Sequence, residues 1–139
     1  MMKTTAMRKS SVEKVVVIFE IPFLNHTVSP PEGWTGAGYI SAKHDLLLAR
    51  NTEEEAPAFL AREFKDFAEP GIYKITGKLL GNCETYRIEA SDLDEEVPAG
   101  PVSIDIVLAG GEPLRFKCSL TDDNVQSYLA IKGFKVSRY

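Results

Sequence analysis

Apolar and polar residues alternate through most of the second half of the chain. Apolar residues recur at every second position in residues 71–80, 85–90 and 102–108. A period of two places successive side chains on opposite faces of a β-strand, so each segment is predicted to bury one face. Turn-forming pairs, Gly81-Asn82 and Gly110-Gly111, separate the segments. This half of the chain is therefore predicted to form antiparallel strands joined by short turns.

The final apolar segment of the chain changes phase partway along. Leu129 and Ile131 are out of phase with Phe134 and Val136 in a strict alternation. A β-bulge inserts one extra residue into a strand and so shifts the phase by one. A bulge near Gly133 is therefore predicted, with all four apolar residues on the core side.

The first half of the chain has a less regular pattern. Residues 12–21 carry apolar side chains at both alternating phases, which is typical of a central strand covered on both faces. Residues 34–50 are predicted to form a bent strand or two successive strands, with a helix as the competing interpretation for residues 44–50. Residues 25–33 and the acidic stretch at 91–101 are rich in proline, glycine or charge, and are predicted to be loops.

One amphipathic helix is predicted near the middle of the chain, from Ala56 to Phe67. Its apolar stripe at helical spacing consists of Ala56, Phe59, Leu60, Phe64 and Phe67. Three glutamates, residues 53–55, precede it, and carboxylates are favoured at the positive end of a helix. Pro70-Gly71 is predicted to end it.

These elements together indicate a fold class. About seven short strands and one helix predict a mainly β protein of the β-rich α+β class. Short strands with hairpin-like turns fit a small antiparallel β-barrel, closed or nearly closed, and an oligonucleotide-binding (OB) barrel has this scale and one helix. Residues 1–11 are predicted to be a disordered basic tail, and residues 12–139 a single barrel-like domain.

Composition places the chain among soluble globular proteins. Of its 139 residues, 44% are hydrophobic and 26% are charged, and no apolar run approaches the ~20 residues that cross a bilayer. Two cysteines, Cys83 and Cys118, are too few for a disulfide framework. No membrane association is predicted, and an intracellular location, cytoplasmic or nuclear, is the expectation.

Residues 26–45 concentrate the residue types that carry chemistry, including Trp34, His26 and His44. The glycines there lack phosphate-loop spacing, and the histidines lack nearby metal ligands. Neither cysteine belongs to a recognisable catalytic arrangement. No catalytic residue, metal or cofactor is therefore predicted, and a binding protein is favoured over an enzyme. Trp34 has two interpretations, a core residue or a stacking platform for a ligand.

Charge is unevenly placed along the chain, although its net value is −4. Outward positions of the late strands carry mostly cations, whereas most acidic residues fall in the predicted helix and loops. A basic sheet face with an acidic rim is typical of proteins that bind polyanionic strands. Lysine and arginine are also ordinary at outward strand positions, where they discourage edge-to-edge aggregation.

The charge pattern predicts a non-enzymatic module that binds single-stranded nucleic acid across a basic sheet face. Cations would contact the phosphates, and aromatic rings would stack on the bases. The predicted site residues are Lys74, Lys78, Arg87, Arg115, Lys117, Trp34 and Tyr73. The alternative is a protein-interaction or assembly subunit, such as a homodimer, that does not bind nucleic acid.

Overall fold

A computed structural model describes residues 15–65 and 69–139, and the predicted tail at residues 1–11 lies outside them. The described residues form two antiparallel β-sheets that enclose one hydrophobic core. The strands are β1 Val16–Glu20, β2 Leu24–Val28, β3 Thr35–Ala37, β4 Tyr39–His44, β5 Leu46–Arg50, β6 Phe59–Phe64, β7 Gly71–Gly81, β8 Tyr86–Ala90, β9 Leu93–Val97, β10 Gly100–Leu108, β11 Leu114–Ser119 and β12 Tyr128–Arg138.

The larger sheet has seven strands, with β12 near its centre. Its order is β10-β7-β12-β5-β4-β2, and β1 also pairs with β12. One edge of β12 pairs with β7, while the other pairs with β5 along Tyr128–Lys132 and with β1 along Lys135–Arg138. The register against β7 shifts beside Gly133, whose φ is 66°. The predicted bulge is therefore confirmed, and it keeps four apolar side chains buried: Leu129, Ile131, Phe134 and Val136.

The smaller sheet has the strand order β9-β8-β11-β6-β3. Its inner face contributes Phe64 and Phe116 to the core, and both pack against Phe134 from the larger sheet. The ring centroid of Phe134 lies 4.9 Å from that of Phe116 and 5.2 Å from that of Trp34. Aromatic side chains from both sheets therefore meet at the centre of the molecule.

The two sheets do not close into a barrel over the described residues. The mainly β class is confirmed, because alternating segments such as 73–79 and 86–90 bury the apolar face that their pattern predicts. The closed, OB-like barrel is wrong, because the strands of residues 15–65 and 69–139 divide between two open sheets. Within residues 15–65 and 69–139, no helix is long and apolar enough to cross a membrane.

The predicted helix at Ala56–Phe67 is wrong, because residues 59–64 form strand β6. This strand pairs with β11 on one edge and with β3 on the other. Leu60 and Phe64 are buried, and a spacing of four residues fits a strand as well as a helix. Pairing with two neighbouring strands decided in favour of a strand over a helix. Phe67 lies outside the described residues.

Two further predictions are wrong, and one pair of alternatives is decided. Residues 25–28 of the loop predicted at 25–33, and residues 93–97 of the loop predicted at 91–101, belong to the edge strands β2 and β9. Strand β1 was expected to be covered on both faces, yet Val16 and Val17 are 62% and 48% exposed. Among the described strands it pairs with the second half of β12 alone, so its apolar residues are half covered. Residues 46–50 form a strand, which settles the helix alternative there.

Candidate functional site

The cations predicted to bind nucleic acid lie on two different surfaces. Arg87, Arg115 and Lys117 belong to β8 and β11 of the smaller sheet and point away from the core. Lys74 and Lys78 belong to β7 of the larger sheet and point outward on the opposite side of the molecule. The fold therefore does not bring the five side chains together on one face.

Most of these cations also contact a carboxylate. The ion pairs, with their N···O distances, are Lys74–Asp105 (3.9 Å), Arg87–Asp94 (2.5 Å), Arg115–Glu63 (3.2 Å) and Lys117–Glu89 (3.9 Å). The sequence pattern placed Glu63 in a helix and Asp94 in a loop, but both lie on strands beside their partners. The predicted basic face is therefore largely neutralised.

The Arg87–Asp94 pair shows how complete this neutralisation is. The Arg87 Nε atom donates a hydrogen bond to Asp94 Oδ1 at 2.8 Å. This hydrogen bond raises the pKa of the Arg87 guanidinium and lowers the pKa of the Asp94 carboxyl. A depression of about 630 Å³ lies beside this pair, and the one cation that lines it, Arg87, is the one paired with Asp94.

The two predicted aromatic contacts have different positions. Tyr73 is 1% exposed and donates its hydroxyl hydrogen to the Glu69 carbonyl, so it is a core residue. Trp34 is 5% exposed and packs edge-on against Phe134 and Phe116. Its ring also lines a groove, so Trp34 is a core residue that contributes to a cavity wall.

This groove opens where β1, β2, β4 and β5 of the larger sheet face β6 of the smaller one. Its volume is about 450 Å³, which is in the usual range for small-molecule sites. The apolar lining consists of Phe19, Ile21, Pro22, Leu24, Val28, Pro31, Trp34, Ala42 and Leu47. Three side chains with polar groups also line it: Glu32, His44 and Arg62. We call it the Arg62 groove.

Arg62 is a charged residue on the core side of its strand. It alternates in phase with Leu60 and Phe64, both of which are buried. Its guanidinium carbon lies 4.4 Å from the Phe19 ring centroid, 5.0 Å from that of Phe64 and 5.8 Å from that of Trp34. Cation–π attraction to these rings offsets part of the cost of burying the charge.

The electrostatics of Arg62 combine two opposing effects. Burial lowers the pKa of the Arg62 guanidinium, while the negative charge of Glu32 raises it. Arginine keeps its charge in proteins, so the groove contains a permanent cation. The Nη1 atom donates a hydrogen bond to the Glu32 backbone carbonyl at 3.2 Å. Sequence reasoning missed Arg62 because it assigned the residue to a helix, where Arg62 falls off the apolar stripe.

Gly33 leaves space for the Arg62 guanidinium because it has no side chain. A Cβ atom on Gly33 would be 2.5 Å from Arg62 Nη1, and the φ of Gly33 is 83°. We expect Gly33→Ala to displace the Arg62 side chain and to cost about 1–2 kcal/mol for the left-handed backbone. Trp34 emission would report the displacement, and urea unfolding would report the free energy of unfolding.

Gly111→Ala is the matched control for Gly33→Ala. Gly111 has a φ of 77°, and a Cβ atom there would meet nothing within 4 Å. The control should lose a similar free energy of unfolding while leaving Trp34 emission unchanged. An identical emission spectrum for both variants would contradict the assigned position of Arg62.

The two thiols differ in accessibility. Cys118 is fully buried, and burial raises the pKa of its thiol to about 12, although a hydrogen bond with the Leu60 backbone lowers it. Cys83 is half-buried at a turn. We expect iodoacetamide to label Cys83 alone in the native protein and both cysteines in urea, because the thiolate is the reactive form. Peptide mass spectrometry measures this, and native labelling of Cys118 would contradict its placement.

No group of three or more metal-ligating side chains occurs among residues 15–65 and 69–139.

The chain matches no protein-family model, and a comparison with curated proteins finds no match. Comparison with solved structures does find the same fold. One of these solved structures is a family two carbohydrate esterase from Cellvibrio japonicus, with a TM-score of 0.50 and 11% identity. The alignment covers 82% of this chain and 33% of the esterase, so the chain spans about a third of that protein.

Two other solved structures extend the comparison. The Stig cyclase Fisc from Fischerella sp. TAU, in complex with (3Z)-3-(1-methyl-2-pyrrolidinylidene)-3H-indole, has a TM-score of 0.50 and 12% identity over 91% of this chain and 98% of the cyclase. A family 29 carbohydrate-binding module complexed with mannohexaose has a TM-score of 0.42 and 19% identity, over 89% and 91% of the two chains. At these identities the likeness concerns the fold alone.

These findings correct the functional prediction. The described strands form two sheets and no OB barrel, and the solved structures that share this fold at a TM-score of 0.50 include a carbohydrate esterase and a cyclase. The nucleic-acid function, its single-stranded partner and the OB-like assignment are therefore wrong. The divided, ion-paired cations explain the error physically, because phosphate binding needs free cations along one surface.

Proposed function

We propose that the protein is a non-catalytic binding module that holds a saccharide in the Arg62 groove. The observation that carries the proposal is an inward-facing arginine against aromatic rings in an open cavity of about 450 Å³. An apolar cavity with a few convergent polar groups is the usual form of a small-molecule site. The exposed residues Glu32, Gly33 and His44 border it, so a ligand can enter from solvent.

The chemistry of the groove suits a sugar ring. Such a ring combines an apolar C–H face with hydroxyl groups around its edge. Phe19 and Trp34 supply apolar aromatic surface, and the Arg62 guanidinium supplies several N–H donors. The Glu32 carboxylate and the His44 ring can accept hydrogen bonds from hydroxyls. Each part of a sugar therefore has a counterpart among the lining residues.

The outer face of the smaller sheet is a weaker candidate for the same role. Its charged residues are engaged in ion pairs, as Arg115 is with Glu63. A ligand there would have to break these contacts before making its own. The Arg62 groove needs no such exchange, because Arg62 donates its hydrogen bond to a backbone carbonyl.

Titration with oligosaccharides tests the proposal. Mannohexaose and β-1,4-galactotriose are the first probes, since solved carbohydrate-binding modules carry them. We expect saturable binding of at least one saccharide in a panel, with a change in Trp34 emission because its ring lines the groove. The Arg115→Gln variant is the control, and its affinity should equal that of the wild type. No saccharide binding at millimolar concentration by calorimetry would refute the proposal.

An apolar small molecule is a second candidate, favoured by the predominance of apolar residues in the lining. The cyclase that shares this fold was solved with an indole compound, so 1-methylindole is a suitable probe. Saturable binding of 1-methylindole measured by calorimetry, without competition from any saccharide, would favour this candidate. Competition between the two probes would place both in the same groove.

A further inference from the structure

We infer that the saccharide bound in the Arg62 groove is acidic and that its carboxylate pairs with the Arg62 guanidinium. This inference rests on the proposed saccharide binding and narrows it to one chemical class. It predicts a strong preference for a uronic acid over the same sugar without a free carboxylate.

The first support is the incomplete set of partners around Arg62. A guanidinium has five N–H donors, and in residues 15–65 and 69–139 one of them, at Nη1, donates to the Glu32 carbonyl. Within these residues no carboxylate oxygen lies within 4.0 Å of the Arg62 guanidinium. The groove therefore presents a cation with donors left for a ligand.

The second support is the contrast with other arginines of the chain. Arg87 and Arg115 each contact a carboxylate and lie toward solvent, where an ion pair contributes little. Arg62 is the more enclosed by aromatic rings, yet within the described residues its guanidinium contacts those rings and a backbone carbonyl and forms no ion pair, the Glu32 charge acting from a longer distance. A partly desolvated cation gains most from a bidentate carboxylate.

The third support is the shape of the surroundings. The Arg62 guanidinium carbon lies 4.4 Å from the Phe19 ring centroid, at the wall of the open groove. Gly33 has no side chain to crowd the guanidinium, since a Cβ atom there would be 2.7 Å from the Arg62 Cζ atom. An edge-on approach is the geometry by which arginine binds carboxylates in two parallel hydrogen bonds.

Glu32 offers a test of the acidic ligand in which the substitution should strengthen binding, whereas Arg62→Gln should weaken it. Its side chain is exposed and lines the same groove, and its negative charge acts on Arg62. It would repel a ligand carboxylate, with an effect reduced by solvent. Glu32→Gln should therefore strengthen the binding of an acidic saccharide and leave that of a neutral one nearly unchanged.

The experiment compares each acidic saccharide with its own methyl ester. Trigalacturonate and its fully methyl-esterified form are measured by calorimetry against the wild type, Arg62→Gln, Glu32→Gln and the control Arg115→Gln. We expect the acid to bind the wild type about tenfold to a hundredfold more tightly than the ester, the effect of one charged hydrogen-bonded contact. Arg62→Gln should abolish this preference, Glu32→Gln should enlarge it, and Arg115→Gln should retain it.

The outcomes separate this inference from the proposed function. Equal affinity for acid and ester, or a preference that survives in Arg62→Gln, overturns the acidic ligand while saccharide binding stands. Binding of neutral saccharides alone also overturns it. Failure of every saccharide, acidic and neutral, overturns both proposals. If Arg62→Gln does not fold by circular dichroism, the acid and ester comparison in the wild type and in Glu32→Gln decides the matter.

Discussion

Phe134→Ala is expected to lower the free energy of unfolding by about 4 kcal/mol, the usual cost of removing a large aromatic side chain from a core. Phe134 is 1% exposed. Its ring contacts four other aromatic rings, contributed by both sheets: Phe19, Trp34, Phe64 and Phe116. Because the neighbours are held on different strands, they cannot easily collapse into the space that the mutation leaves.

Urea unfolding followed by Trp34 emission measures this effect. Tyr128→Ala is the matched control, since Tyr128 is an aromatic residue of the same strand that is 38% exposed. The control should lose less than about 1 kcal/mol, as surface substitutions usually do. A loss below 1.5 kcal/mol for Phe134→Ala would mean that this ring is not the centre of the core.

Asn51→Ala is expected to destabilise the protein by about 3 kcal/mol, because it leaves the buried Ala58 N–H and two part-buried carbonyls without their side-chain partner. Asn51 is 1% exposed, and its side chain joins two loops at one end of the sandwich. Its Nδ2 atom donates to the carbonyls of Asp122 (2.9 Å) and Asn124 (2.8 Å), and its Oδ1 atom accepts from the Ala58 N–H (2.7 Å). Ala58 is fully buried, so water cannot replace that partner.

Asn82→Ala is the control for the Asn51 prediction. Asn82 makes comparable hydrogen bonds, donating to the Gln126 carbonyl at 2.8 Å and accepting from the Tyr128 N–H at 3.0 Å, but it is exposed. Water can take over both contacts, so we expect a loss of about 1 kcal/mol or less. Thermal and urea unfolding of the two variants give the comparison, and equal losses would show that burial does not set the cost.

The predictable parts of the fold are the strands whose own sequence shows which of their faces is buried. The alternation of Tyr73, Ile75 and Leu79 depends on a single buried face, and the phase change near Gly133 leaves a mark in the sequence itself. Strand β6 was not predictable, because Leu60 and Phe64 fit both periods and the decision lay with partners distant in sequence.

The site was hidden for the same reason. Arg62 becomes informative only once β6 is known to be a strand, because only then does it fall on the apolar face. The neutralisation of Arg115 was equally invisible, since its partner Glu63 is 52 residues away. The sequence predicts two positions for Trp34, in the core or against a ligand, and the packing of the two sheets decides between them.

The central position of β12 has a consequence for synthesis of the chain on the ribosome. Strands β2, β4 and β5 can pair with one another early, and β7 can pair with β10, but among the described strands of this sheet β12 is the one that joins the two groups. Until residues 128–138 have emerged, the nascent chain holds two half-sheets with unprotected edges at β5 and β7. Such edges invite pairing with other chains, so this is the stage at which a chaperone would matter most.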